Sequence, residues 1–245
     1  YRARRQRQMC IRDSVNIQNS LNQGDWENNR FLQQFSGLVS EYNFSPDVIS
    51  SLIEGLMDDQ APKVLIENEE QLIQYAYKVA GTVGLLMCGV LNTDEHRAKA
   101  HAVDLGIGMQ LTNIARDVVV DAKMGRRYLP GEWVNNMSPE EILVAAENPT
   151  SDNGLVITAA VKRLLALAEE YYASGRVGLS YLPARAHFSI GVAAKVYRQI
   201  GIQLLRSKTS WHGPKQVTSK ASKVLCTLKA TLLSLIHISE PTRRD

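Results

Sequence analysis

Apolar side chains recur every three to four residues along most of the chain, which is the spacing of one face of an α-helix. No stretch shows a convincing strand-like alternation, so an all-α fold is predicted: a bundle of six to eight long helices around a central apolar cavity or core. Residues 131–153 are polar and predict a surface loop with one short helix, and the Lys-rich stretch 208–229 predicts a surface helix. The main predicted helices cover residues 15–44, 47–60, 69–91, the middle of 101–130, 155–174 and 184–205.

The predicted helix within residues 101–130 carries a line of polar side chains along an otherwise apolar surface. The line consists of Gln110, Asn113, Asp117 and Asp121. Steps of three, four and four residues place all four on one helix face. Carboxylates one turn apart repel, and withdrawing a charge from water costs several kcal/mol unless the charge is paired. A bound cation is the simplest group that would offset this cost.

The residue types around this polar line suit a diphosphate held through magnesium. Mg²⁺ is usually bound by one or two carboxylates together with substrate phosphates. Gln110 and Asn113 can bind a substrate oxygen or a metal-bound water, while Arg116, Arg126 and Arg127 can fork onto phosphate oxygens. The sequence contains no glycine-rich phosphate loop, His-rich metal site or Ser–His–Asp pattern that would offer an alternative candidate site. Apolar walls for a long hydrocarbon tail are predicted from Val79, Val83, Gly84, Leu105 and Met109.

Composition permits this chemistry and narrows the alternatives. With 245 residues, 44% of them hydrophobic, the chain can bury a full core within one domain. A net charge of +3 permits an anionic ligand without requiring nucleic acid. Three scattered cysteines favour a reducing compartment, and no apolar run reaches the roughly 18 residues of a membrane span.

Both ends of the chain break the helical pattern. Residues 1–14 contain five arginines and no apolar stripe, and residues 234–245 differ abruptly from the segment before them. We interpret both ends as non-native or disordered, which leaves one domain at residues 15–233. The alternative for the basic end, an arm that binds nucleic acid or acidic lipid, is the weaker interpretation, so no nucleic-acid partner is expected.

Two segments resemble the squalene/phytoene synthase family. They are YAYKVAGTVGLLM, from Tyr75, and DLGIGMQLTNIARDVVVDAKMGRRYLP, from Asp104. The later segment RVGLSYLPARAHFSIGVAAKVYRQIG is similar to the bacterial phytoene synthase branch. The resemblance covers roughly residues 15–230. It implies the isoprenoid synthase fold and the head-to-head condensation of two geranylgeranyl diphosphates to phytoene, through prephytoene diphosphate, in carotenoid biosynthesis.

The resemblance also implies roles for individual residues. Asp117 and Asp121 match the family's second Asp-rich motif, which binds Mg²⁺ (Mn²⁺ is the alternative) and diphosphate, and which makes them the catalytic candidates. Asn113 matches a further metal and diphosphate contact. Around them the resemblance implies diphosphate contacts at Gln110, Arg116 and Arg198, cavity-lining positions at Tyr75, Val79, Val83, Gly84 and Tyr181, and further candidates at Asp59 and Arg126.

One departure from the family pattern leads to a separate expectation. Family members carry a first Asp-rich motif on a helix near the N-terminus, and no DxxxD stands upstream of Asp47. We therefore expect the chain to be a fragment that begins after that helix and to be inactive as it stands.

Two other functions stay open at this point. The first is squalene or dehydrosqualene synthesis from farnesyl diphosphate, and the second is a non-catalytic helical binding protein whose polar line is an internal network. Prenyl diphosphates are the expected small-molecule partners, while the oligomeric state is undetermined. Because the substrate tails are lipophilic, a cytoplasmic protein peripheral to the inner membrane is expected.

Overall fold

The all-α prediction is confirmed in the computed structural model, which describes residues 15–20, 30–93, 95–207 and 210–213, without the side chains of 30–32 and 95. The predicted ends at 1–14 and 234–245 lie outside the described residues. Residues 15–20 are helical. The helices that follow are α1 (Arg30–Glu41), α2 (Pro46–Asp58), α3 (Glu69–Ala76), α4 (Thr82–Val90), α5 (Glu95–Lys123), α6 (Pro139–Glu147), α7 (Asp152–Gly178) and α8 (Ala184–Arg206).

Several helix ends follow directly from local side-chain chemistry. Ser45 is the N-cap of α2 and Pro46 occupies its first turn, where the missing N–H costs no hydrogen bond. Ser138 and Glu141 form a reciprocal capping box at the start of α6. Gly125 has a φ of +75° just after α5, a conformation that glycine adopts without steric cost.

The predicted helix at 69–91 is interrupted by a π-helical turn at Tyr77–Gly81, between α3 and α4. A π turn inserts one extra residue, so it rotates the side chains that follow relative to those before it. The small residues of this segment lie where α4 crosses α5. A Cβ on Gly84 would overlap the carbonyl of Ala102, and one on Gly106 would overlap the carbonyl of Ala80. The glycines therefore allow two helix backbones to meet.

The core lies between α5 and α7, which pack along much of their lengths, and α4, α6 and α8 also contact α5. The apolar side chains of α5 are not all buried, since Val120 is 42% exposed. The core side chains of this pair include Leu111, Ile114, Ala115 and Val118 from α5 and Ile157, Val161, Leu164 and Ala168 from α7.

The prediction of a surface loop at 131–153 is wrong for its first part. Trp133, Val134 and Met137 are buried in the core. The Arg163 guanidinium lies 4.2 Å from the centre of the Trp133 ring, a cation–π contact between this segment and α7. The short helix is present as α6. The segment is polar in composition, but its few apolar side chains point inward, which periodicity over so short a stretch does not reveal.

Two smaller features also differ from the predictions. Residues 64–65 (β1) and 126–127 (β2) form a parallel two-stranded ladder, too short to show an alternating pattern in the sequence. Residues 210–213 turn instead of forming a surface helix, because Trp211 is buried and its indole N–H donates to Thr158 at 2.9 Å. The rest of the predicted helix at 208–229 lies outside the described residues.

Candidate active site

Helix α5 aligns Gln110 and Asn113 at one end of an apolar cavity. The Asn113 side-chain N–H approaches the Gln110 carbonyl oxygen at 3.5 Å, which is a weak hydrogen bond. Asn113 Oδ1 is buried and has no hydrogen-bond partner in the described structure. A buried acceptor without a donor costs about 1–3 kcal/mol. A cation or a donor group at the cavity end would remove that cost.

One turn further along α5, Asp117 is paired with its neighbour Arg116. The guanidinium donates from Nε to Oδ1 at 2.9 Å and from Nη2 to Oδ2 at 2.5 Å, and both side chains are 15% exposed. The hydrogen bonds that Arg116 donates to Asp117 raise the pKa of Arg116, and the negative charges of Asp117 and Asp121 raise it further. An ionised carboxylate has about four lone-pair sites, so Asp117 has the capacity to bind a cation or a phosphate-bound donor as well as Arg116.

Asp121 lies one turn beyond Asp117, beside a small crevice that Arg126 and Tyr128 also line. Two carboxylates and an orphaned amide oxygen therefore follow one another along the helix. This donor set fits Mg²⁺, which completes its coordination with water and substrate phosphate oxygens. Within the part of the chain that the structure describes, no cluster of three or more acidic, His or Cys side chains offers a fuller protein cage.

Asp59, at the end of α2, is the centre of a second polar group beside this crevice. Its carboxylate accepts from the Tyr128 hydroxyl at 2.6 Å and from the Tyr75 hydroxyl at 3.0 Å. The two rings stack with centroids 4.8 Å apart. Arg126 donates to the Asp59 main-chain carbonyl at 2.5 Å. The structure thus brings Asp59 and Arg126 together near Asp121, whereas Tyr75 faces Asp59 and does not line the large cavity.

The tyrosines of this group are expected to resist ionisation. Burial, and then the negative charge of Asp59, raise the pKa of Tyr75; burial and the hydrogen bond to Asp59 raise that of Tyr128. In the folded protein these pKa values exceed the unfolded value near 10, so above about pH 10 the unfolded chain loses protons that the folded protein keeps. The free energy of unfolding is therefore at its full value below about pH 10. At higher pH it falls by up to about 1.4 kcal/mol per pH unit for each retained proton. Tyrosinate absorbance and unfolding titrations from pH 9 to 12 test this.

The control for that titration is Tyr75→Phe, which removes one protected phenol and should make the stability less dependent on pH. If all tyrosines of the folded protein ionised together near pH 10, the protection of Tyr75 and Tyr128 would be refuted.

Arg127 does not take the phosphate-binding role predicted for it. Its side chain is only 2% exposed and donates to the main-chain carbonyls of Met137 (2.9 Å) and Ile66 (3.0 Å) and to the Glu67 carboxylate (3.1 Å). The guanidinium therefore ties β2 to the loop before α6 and cannot reach a ligand. Arg126 and Arg127 both border the crevice, but the Arg127 guanidinium is held by these carbonyls and this carboxylate.

Arg127→Met is accordingly expected to lower the free energy of unfolding by about 3 kcal/mol, because buried carbonyls and a carboxylate lose their donor. Denaturant unfolding followed by circular dichroism measures this loss. The matched control is Arg206→Met, which removes an exposed arginine at the end of α8 and should change stability by less than about 0.5 kcal/mol. Equal losses in the two variants would contradict the structural role of Arg127.

The large cavity has a volume of about 350 Å³ and extends along one face of α5. Its wall is apolar except for the amides at one end, Tyr197, and the His101 ring towards the other end. Residues Val79, Val83, Gly84, Leu105 and Met109 all line it, as the sequence predicted for its walls. Further lining comes from α7, α8 and the turn between them: Gly175, Gly178, Leu179, Leu182, Ile190, Ala193 and Tyr197.

Two residues implied by the resemblance lie beside this cavity instead of in its wall. Arg198 donates from Nε to Glu169 at 2.7 Å, with both side chains 38% exposed. Tyr181, in the 3-10 turn Leu179–Tyr181, stacks on His101 with ring centroids 6.0 Å apart. The sequence reasoning missed Tyr128, and it missed His101 with its partners Asp104 and Ser174. Only the i, i+3 spacing of His101 and Asp104 could have been found from the sequence.

The comparison with protein families decides where this arrangement belongs. The family model described as squalene/phytoene synthase matches residues 3–222. The chain belongs to the squalene/phytoene synthase family. Among its relatives in this family are the 15-cis-phytoene synthase of Paracoccus sp. (strain N81106 / MBIC 01143), 40% identical over 174 residues, and the phytoene synthase of Pseudescherichia vulneris, 34% identical over 198 residues.

These alignments cover much of this chain and less of the relatives. The Paracoccus alignment includes 71% of this chain and 54% of that protein, and the Pseudescherichia alignment 80% and 62%. The chain therefore spans between half and two thirds of the length of these squalene/phytoene synthase family members.

Solved structures show that the fold is shared as well. A dehydrosqualene synthase in complex with ligand matches with a TM-score of 0.75 at 23% identity, over 91% of this chain and 77% of that one. Squalene synthase HpnC from Alicyclobacillus acidocaldarius matches with a TM-score of 0.67 at 18% identity, over 80% and 73%. The predicted isoprenoid synthase fold is confirmed. Among the described helices, none is both long and apolar enough to cross a membrane.

Proposed function

We propose that this chain is the phytoene synthase-like portion of a prenyltransferase that condenses two geranylgeranyl diphosphates head to head, through prephytoene diphosphate, to phytoene. The observation that carries the proposal is the apolar cavity with a buried, partnerless amide oxygen at Asn113 and with Asp117 and Asp121 in register beyond it. The relatives named phytoene synthase, at 34–40% identity, support the same reaction.

Mg²⁺, with Mn²⁺ as the alternative, fits the donor set of Asp117, Asp121 and Asn113. When bound, the cation would neutralise charge on the diphosphate as it leaves. Asp117 and Asp121 supply two carboxylates at this place, and Mg²⁺ held by one or two carboxylates usually takes further ligands from water and substrate phosphates. This predicts that metal and prenyl diphosphate bind together and that either alone binds weakly.

The protein's own groups have three further tasks in this proposal. Arg116 can share its guanidinium between Asp117 and a phosphate oxygen, and Arg126 extends the positive charge towards Asp121. Gln110, at the cavity end, can orient the first carbons of the prenyl chain by donating to the bridging oxygen. The apolar walls exclude water, which would otherwise quench the allylic cation that remains after diphosphate departs.

The condensation must also release two protons along with two diphosphates for atoms and charge to balance. The departing diphosphate is basic enough to accept a proton at the amide end of the cavity. Squalene synthesis instead replaces the second proton loss by hydride addition from a reductant. The likeness to solved squalene and dehydrosqualene synthases lies below 25% identity and concerns the fold, so the curated relatives favour the phytoene reaction.

We also propose that the protein works in the cytoplasm at the inner membrane surface, since both its substrate tails and its product are lipophilic. Fractionation of cells that express the tagged chain, with and without a salt wash, tests this proposal. If the chain were absent from the membrane fraction both with and without the salt wash, the proposal would be contradicted.

Isothermal titration of the chain with geranylgeranyl thiolodiphosphate, a non-reacting analogue, tests the diphosphate site. We expect binding in the micromolar range with Mg²⁺ and at least ten-fold weaker binding with EDTA. Equal binding in both conditions would contradict the metal–diphosphate site. An absence of binding in both would contradict the proposed function as a whole.

A further inference from the structure

A second polar cluster lies towards the other end of the cavity from Asn113, around His101. The His101 ring lines the cavity, and its Nδ1 lies 2.9 Å from the hydroxyl oxygen of Ser174. The Ser174 hydroxyl in turn donates to the Asp104 carboxylate. Tyr181 stacks on the ring with an interplanar angle of 15°, and Gly178 packs directly against the His101 Cβ. The ring is therefore held on several sides.

The hydrogen bonds fix the ring's orientation as well as its position. A serine hydroxyl has one hydrogen, and here Asp104 accepts it. Nδ1 of His101 must then donate to the Ser174 oxygen, so Nδ1 carries a proton. A rotating imidazole would change the local width of the cavity. These hydrogen bonds prevent that rotation and keep one ring face towards the cavity.

The position of His101 along α5 can be compared with the length of a prenyl chain. Twelve residues separate Asn113 from His101, which corresponds to about 18 Å along a helix. With C–C bonds of about 1.5 Å, an extended chain advances roughly 1.25 Å per bond, so a C20 prenyl group spans about 19 Å and a C15 group about 14 Å. A C20 chain that starts at Asn113 thus ends beside His101, and a C15 chain ends about 4 Å short of it.

We propose that His101 is a chain-length determinant: its ring forms the wall around the terminal isoprene unit of a C20 prenyl group and lies beyond the reach of a C15 group. This inference rests on the proposed function, which places the diphosphate at the Asn113 end. Ser174 and Asp104 are positioning residues, because they act only through the ring. Ala98, three residues before His101 on α5, also lines the cavity, so the lining continues past the ring.

The test compares the affinities of the chain for geranylgeranyl and farnesyl thiolodiphosphate in Mg²⁺. The unmodified chain should bind the C20 analogue at least ten-fold more tightly, because the terminal unit buries apolar surface against the ring. His101→Trp should fill the space of that unit, weakening C20 binding at least ten-fold and changing C15 binding less than three-fold. The matched control, His96→Trp, makes the same substitution at an exposed site on α5 and should leave both affinities unchanged.

Two further variants cover the case in which tryptophan prevents folding. His101→Ala lengthens the usable cavity and should improve binding of the C25 analogue at least five-fold relative to C20. Ser174→Ala should partly reduce the C20 preference while preserving C15 binding, which a merely structural role would not do. Unchanged C20-to-C15 ratios in folded His101 variants, or equal losses for both lengths, would overturn the inference. If the unmodified chain bound neither analogue, the proposed function would fail and His101 would lose this role with it.

Discussion

Replacing Asp117 by asparagine is expected to weaken Mg²⁺-dependent binding of geranylgeranyl thiolodiphosphate by about 100-fold or more, as expected for loss of a metal ligand. Asparagine keeps the shape of the side chain and removes the charge that a cation requires. In the unmodified protein Arg116 donates to both Asp117 oxygens. The substitution releases this guanidinium, which can then attract phosphate without metal. The expected signature is therefore a loss of metal dependence, and not simply a uniform loss of affinity.

Titration calorimetry with Mg²⁺ and with EDTA distinguishes these effects, and thermal unfolding shows whether the variant is folded. Asp152→Asn is the matched control, since Asp152 is exposed in the first turn of α7, away from the cavity. If Asp117→Asn changed the stability but kept Mg²⁺-dependent binding, the polar line would be an internal network. The chain would then fit a non-catalytic helical binding protein better.

Gly84→Ala is expected to lower the free energy of unfolding by about 3 kcal/mol. The added methyl would overlap the Ala102 carbonyl, which is backbone and cannot rotate away. Gly106 likewise lies against the Ala80 carbonyl, which precedes α4, so neither backbone at this crossing leaves space for an added methyl group. Separating the helices would also deform the cavity wall, because Gly84 and Gly106 both line it.

Denaturant unfolding monitored by circular dichroism measures the effect, with Gly37→Ala as the control. Gly37 lies within α1 and has no atom within 4 Å of the position that its Cβ would take. Alanine there should stabilise the chain by about 0.5–1 kcal/mol through helix propensity. A Gly84→Ala variant as stable as Gly37→Ala would contradict the close crossing.

The sequence predicted the parts of this molecule that depend on a single helix. Gln110, Asn113, Asp117 and Asp121 share a face because helix geometry requires it, and the start of α2 follows from Pro46, which occupies its first turn. The apolar walls could also be predicted, since a helix that is apolar on one side must cover something.

Most of the features that sequence reasoning missed depend on contacts between segments distant in the chain, and one depends on an adjacent pair. Arg127 looks like a free cation in the sequence, and only its burial beside Ile66 and Met137 gives it a structural role. The pairing of Arg116 with Asp117 joins adjacent residues, which normally point apart on a helix, so spacing gave no reason to expect it. Ser174 reaches His101 from another helix, 73 residues away.

The most direct test of the proposed function is a graft of residues 30–213 into the matching segment of the Paracoccus 15-cis-phytoene synthase. We expect the chimaera to convert geranylgeranyl diphosphate to phytoene in the presence of Mg²⁺, and to lose this activity with Asp117→Asn. A chimaera that unfolds as cooperatively as the parent enzyme, yet makes no phytoene from geranylgeranyl diphosphate, would contradict the proposed function.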